Sequence, residues 1–177
     1  MKSPAHNCGN PPLADGDESQ SSRPRVLVLA YGNPLRSDDG LGWHAAEQLA
    51  EILPDSNAEI RTLAQLTPEI ALPISGAGLV IFIDASREGE PGELTCSQVT
   101  PQLVPVGFSH ELTPEALVAL SQYMYGVSPP AFLVSLSGDC FNHGEELSPM
   151  VEAQLPRLIN LVVQLAESGF TPAASLS

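Results

Sequence analysis

Three runs of strand length, Arg25 to Tyr31, Leu79 to Ala85 and Ala131 to Ser137, are nearly continuous Val, Leu, Ile and Phe. A strand with one wet face alternates apolar and polar residues, whereas a strand that is apolar at every position has to be covered on both faces. The segments between these runs carry apolar residues at helical spacing, and they supply the cover. The chain is therefore expected to fold as α/β, a mostly parallel sheet between layers of helix. Two further strands are expected at Ala58 to Leu63 and Glu93 to Val99. The second alternates and carries Thr and Ser, the pattern of an edge strand.

The first helix is expected over about Leu41 to Leu53. Its inward stripe is Leu41, Ala45, Leu49, Ile52 and Leu53, which leaves His44, Glu47, Gln48 and Glu51 on the solvent side. Three more helix starts share one device, a Ser or Thr followed by Pro: Thr67-Pro68-Glu69, Thr113-Pro114-Glu115 and Ser148-Pro149. In each the hydroxyl is expected to cap an orphan N–H, with proline at the first helical position where its missing donor costs nothing. The last helix has the core stripe Val151, Leu155, Leu158, Val162 and Leu165. Pro156 inside it should kink it or delay its start.

The 177 residues suffice for one domain with a full core. Residues 1–23 are rich in Pro, Ser, Gly, Asn and Asp and read as a flexible tail, residues 24–167 as the domain, and residues 168–177 as a second tail. A formal net charge of −14 with seven Lys and Arg argues against nucleic acid or an anionic membrane as partner, since either needs a basic patch. An acidic surface suits a basic partner or a cationic metal complex, and it is also the ordinary state of a solvated surface with no binding role. Three cysteines without C-x-x-C spacing point away from a disulfide framework. No secretory signal or membrane span is readable, and a cytoplasmic location is expected.

The chemistry is concentrated after the first strand. Gly32-Asn33-Pro34-Leu35-Arg36-Ser37-Asp38-Asp39-Gly40-Leu41-Gly42 places two carboxylates on a glycine-bounded turn that stops the strand and opens a helix. Asp84 closes the apolar run Leu79-Val80-Ile81-Phe82-Ile83, where a charge belongs at the carboxyl end of a strand. His110 precedes the Thr113 cap on a loop that could reach the same rim. Asp39, Asp84 and His110 make a mixed oxygen and nitrogen donor set suited to nickel or zinc with open positions. By spacing alone they fit strand-end capping and an incidental loop histidine as well. Asp38 reads either as a helix cap or as a base. Other constellations have less support: no G-x-S-x-G elbow or nucleotide loop is present, the adjacent Asp38 and Asp39 project differently whereas an aspartic-protease dyad needs carboxyls from separate segments, and Cys140 with His143 reads as a core cysteine and a surface histidine.

Four blocks together carry a family resemblance: the Gly32 to Gly42 stretch, Ile83-Asp84-Ala85, Ser109-His110-Glu111, and Gly144-Glu145-Glu146-Leu147-Ser148-Pro149. In order and spacing, over about residues 25 to 166, the chain resembles the hydrogenase maturation proteases. The resemblance implies a three-layer α/β/α sandwich of the phosphorylase/hydrolase-like kind, with a twisted, mostly parallel five-stranded sheet. It implies an endopeptidase, nominally of aspartic type, that removes a short C-terminal extension from the precursor of a nickel–iron hydrogenase large subunit after nickel insertion. Asp39, Asp84 and His110 occupy the family's metal-binding positions; Asp38 and Asp39 are the expected catalytic residues, and Gly32, Asn33 and Gly40 are expected to bind substrate. The nickel is expected to arrive with the precursor, and water is the expected nucleophile. The alternative is a nickel-sensing chaperone that binds the immature subunit without cutting it.

Overall fold

The computed structural model describes residues 26–53, 58–102 and 112–168. Both expected tails lie wholly or almost wholly outside the described residues, as does the loop that carries His110. Five strands form one sheet: β1 (Val26–Tyr31), β2 (Ala58–Leu63), β3 (Leu79–Ser86), β4 (Leu94–Gln98) and β5 (Ala131–Ser137), in the order β2-β1-β3-β5-β4. Only β4 runs antiparallel to its neighbour, and it sits at an edge as its alternation predicts.

Alternation along the central strands sorts the core into two layers. Val26, Val28 and Ala30 of β1 face α1 (Leu41–Ile52) and α4 (Pro149–Ser168). Leu27 and Leu29 face the other way, toward α2 (Ala71–Ser75) and α3 (Pro114–Tyr125). The three-layer α/β/α arrangement thus follows from strands buried on both sides. Each fully buried Leu, Ile or Phe contributes about 1.5–3 kcal/mol relative to exposure, and Leu27, Leu29, Ile81, Phe82 and Ile83 are all at 2% exposure or less.

Several local expectations need correction. Ile52 is 52% exposed, because α1 ends there and Leu53, one position on, packs against the core instead. The helix expected after Thr67 is a 3-10 turn, Pro68–Ile70, followed by the single short α2. Thr67 does not cap it; its hydroxyl bonds to Glu69, and that bond is the main reason the Glu69 carboxyl is held below its usual range. Thr113 does cap α3, accepting from the Ala116 amide at 3.3 Å. Helix α4 starts at Pro149 and runs through the exposed Pro156, so proline does not delay its start. Among the described residues no helix is long and apolar enough to cross a membrane.

Candidate active site

Strand β1 lies between β2 and β3, so the connections that follow β1 and β2 lead to opposite sides of it. This is a topological switch point, where the loops leaving the carboxyl ends of the two strands diverge and open a crevice. Tyr31, Gly32, Asp39, Asp84, Arg87 and Leu112 are among the residues lining a cavity of about 440 Å³ there. Asp39 comes from the loop after β1 and Asp84 from the end of β3.

The loop after β1 is built to present Asp39. Gly32 has φ of +132°, and a Cβ on it would lie 2.0 Å from the Asp39 carbonyl oxygen, so only glycine fits. Its N–H donates to the Leu63 carbonyl at 3.1 Å, and its own carbonyl accepts from the Trp43 indole N–H at 3.0 Å. The exposed Asn33 donates its amide N–H to Asp39 Oδ2 at 3.2 Å and accepts from the Leu35 amide through its side chain at 3.0 Å. Gly40 is buried against Pro34. Gly32 and Asn33 therefore hold the turn that carries Asp39, and Gly40 packs that turn closed.

Asp84 is fixed from two directions. The Ala85 N–H donates to its Oδ1 at 2.9 Å, and the Tyr31 phenol hydrogen-bonds to its side chain. Burial raises the Tyr31 hydroxyl far above its ordinary value; the negative charge of Asp84, the bond to it, and the charge of Glu115 push in the same direction. Tyr31 is thus a standing donor toward Asp84.

Asp38 has a different place from its neighbour. It does not cap the helix it precedes, since neither the 3-10 turn Ser37–Gly40 nor α1 has a side-chain cap bond. Its side chain is fully buried and accepts four hydrogen bonds: from the Asp139, Cys140 and Ser148 amides at 2.8, 2.8 and 2.7 Å, and from Ser148 Oγ at 2.9 Å. The Ser148 hydroxyl, expected to cap α4, donates its hydrogen to this carboxylate. Ser37, with φ of 47°, is held in the left-handed region by its amide bond to the Gly144 carbonyl at 2.7 Å. Asp38 therefore pegs the loop 138–148 to the loop that carries Asp39.

The remaining candidates separate from the cavity. His110, with Ser109 and Glu111, lies outside the described residues. Among those described, no three His, Cys, Asp or Glu side chains come together as a metal site; of the expected set the structure describes Asp39 and Asp84 and sets both on one cavity. His44, expected in solvent, is half-buried with Nε2 3.1 Å from the Glu145 carbonyl oxygen. His143 is exposed as expected, whereas Cys140 is half-buried rather than core. Ser86 lines the cavity, but its hydroxyl closes its own turn with the Glu88 backbone at 3.0 and 3.1 Å. A second concavity of about 650 Å³ is bounded by Leu35, Trp43, His44, Glu47, Ile60 and Glu145; its two carboxylates are exposed side chains of α1 and of the loop before α4 rather than groups set at strand ends.

Two residues of the cavity have no counterpart in the sequence reading, Tyr31 and Arg87. Tyr31 reads as the last residue of a buried strand. Its one signal is position, at a strand end beside Gly32 and at the carboxyl edge of a parallel sheet. Arg87 is signalled only by being a cation three residues past Asp84 in a chain with few.

No protein-family model matches the chain. It is 30% identical over 155 residues to hydrogenase 2 maturation protease of Escherichia coli (strain K12), a span covering 82% of this chain and 93% of that protein. Its fold is similar to that of the hydrogenase maturating endopeptidase HybD from E. coli, with a TM-score of 0.66 and 27% identity over 82% of this chain and 94% of the other. It is also similar to a hydrogenase 2 maturation peptidase from a Thaumarchaeota archaeon, with a TM-score of 0.60 and 28% identity over 81% and 98% of the two chains.

Proposed function

The chain belongs to the hydrogenase maturation proteases and is an endopeptidase of that family, and on this premise we propose that it cuts the C-terminal extension from a nickel–iron hydrogenase large-subunit precursor that already holds nickel. The observation that carries the reading is the pairing of Asp39 and Asp84 on one cavity at the switch point. Asp39 keeps Oδ1 without a partner among the described residues while Oδ2 is steadied by the Asn33 amide. Asp84 is oriented by Ala85 and Tyr31. Two oriented carboxylates are oxygen donors that can complete the shell of a borderline divalent ion carried in by the substrate. His110 is proposed as the nitrogen donor that joins them; Leu112, two positions later in the chain, lines the same cavity.

Among the described residues no activated Ser lines the cavity, which favours water as the nucleophile. Water adds to the scissile carbonyl carbon, the C–N bond breaks, and a proton passes to the departing amine. Asp39 is proposed to serve as metal ligand and to take the water's proton. Asp38, with its carboxylate saturated by four donors, is proposed to position rather than to react.

The test is incubation of the purified protein with nickel-loaded precursor, read by intact mass. Loss of one C-terminal peptide by the natural chain, and none by the Asp84→Asn variant, supports the reading. Tight binding with the precursor uncut would support a non-cleaving chaperone.

A further inference from the structure

The chain carries seven Lys and Arg against 21 Asp and Glu, so each cation that stands near the candidate site bears on what enters it. Among the described arginines, Arg36 donates to the Phe141 carbonyl at 3.2 and 3.3 Å, Arg61 pairs with Glu59, and Arg157 donates to Gln154 at 2.8 Å. Arg87 has no acceptor among the described residues. Its guanidinium carbon lies 4.1 Å from the centroid of the Phe141 ring, and the residue is exposed on the wall of the cavity that holds Asp39 and Asp84.

The platform under it is fixed. Arg36 grips the Phe141 carbonyl, and the ring packs over Gly138, where a Cβ would sit 2.4 Å from Phe141 Cζ. Stacking orients a guanidinium plane and leaves its edge N–H groups free to donate to a planar anion. The rest of the cavity is acidic, with Asp39, Asp84 and Glu88 on its wall. An anionic group of a substrate would be repelled there except where a cation faces it. The anionic groups that a polypeptide substrate brings are carboxylates.

We propose that Arg87, propped on Phe141, is a specificity-determining residue that receives a carboxylate of the polypeptide substrate beside the Asp39 and Asp84 pair. The inference rests on the endopeptidase reading above and adds to it the chemistry of a group away from the cut bond. The carboxylate comes from an Asp or Glu side chain of the precursor's extension or from its terminal carboxylate.

The experiment measures steady-state cleavage of nickel-loaded precursor, and its Kd by calorimetry, for the natural chain, Arg87→Gln and Arg87→Lys. Two modified precursors enter the same assays, one with the extension's Asp and Glu changed to Asn and Gln, the other with its terminal carboxylate amidated. A charge-assisted bond of ordinary strength predicts that Arg87→Gln raises KM and Kd about tenfold or more with kcat within about twofold. Arg87→Lys should recover most of the loss. On one modified precursor the natural chain and Arg87→Gln should perform alike, and that precursor identifies the source. Phe141→Leu, which keeps the charge and removes the platform, should give a smaller rise. An unchanged Kd in Arg87→Gln overturns the inference, as does a loss of the same size on both modified precursors. Failure of the natural chain to cut would refute the endopeptidase reading instead, while the Kd comparison still decides the role of Arg87.

Discussion

Replacing Asp38 tests whether a fully buried carboxylate beside the candidate catalytic Asp39 holds the fold or does chemistry. Ser148 is buried, so Asp38→Ala leaves its amide and hydroxyl without an acceptor and without water. The Asp139 and Cys140 amides lie in a segment that is exposed to half-buried and can regain water in part. Hydrogen bonds to a charged group contribute about 1.5–3 kcal/mol each, so at the lower figure two lost outright and two in part amount to about 4 kcal/mol. For a chain of this size that lowers Tm by about 8–16 °C. Asp38→Asn should cost roughly half as much. Its amide oxygen can take the place of Oδ2, which accepts three of the bonds, but its NH₂ then opposes the Ser148 N–H that Oδ1 accepts. Urea and thermal unfolding of both variants, followed by cleavage assays at a temperature where each is folded, read the result. A stable but inactive Asp38→Ala would refute the positioning role and move the residue into the chemistry. Equal destabilisation by Asn and Ala would refute the bond-by-bond account.

Tyr31→Phe removes the donor that orients Asp84 without opening a cavity. Thermal stability should hold within about 1 kcal/mol, and kcat/KM should fall about tenfold. His110→Ala should abolish cleavage of nickel-loaded precursor, while His143→Ala and His44→Ala leave it largely intact, since His143 is exposed and His44 contributes only a partly exposed contact to the Glu145 carbonyl. Comparable losses from all three, measured as initial rates, would contradict the assignment of His110.

The sheet was legible because its strands are extreme cases. Runs such as Leu79-Val80-Ile81-Phe82-Ile83 have no wet side, and the Thr- and Ser-bearing strand that alternates is indeed the antiparallel edge, β4. Helix starts were less legible, because a hydroxyl before proline has rival uses. Thr113 caps, Thr67 turns to Glu69 instead, and the Ser148 hydroxyl also serves Asp38 as a donor. Asp38 shows the limit most plainly. An acidic residue at the start of a helix reads locally as a cap, yet its partners lie more than 100 positions downstream and become neighbours only when β5 and the following loop are in place. Asp84 was found because a charge after five apolar residues is conspicuous, whereas Tyr31 was overlooked because a tyrosine at a strand end is ordinary. What makes Tyr31 part of the site is the pairing of β1 with β3, which brings its phenol to Asp84.

In the proposed function the Asp39 and Asp84 pair engages an ion delivered by the precursor, so binding energy is gained only when nickel is already in the substrate. The direct measurement incubates chelator-treated protein with nickel-loaded and nickel-free precursor side by side and follows release of the C-terminal peptide by mass. Cleavage of the loaded precursor alone is expected, with the nickel-free form uncut even at high protein concentration. Efficient cleavage of nickel-free precursor by the chelator-treated protein would contradict the proposed function.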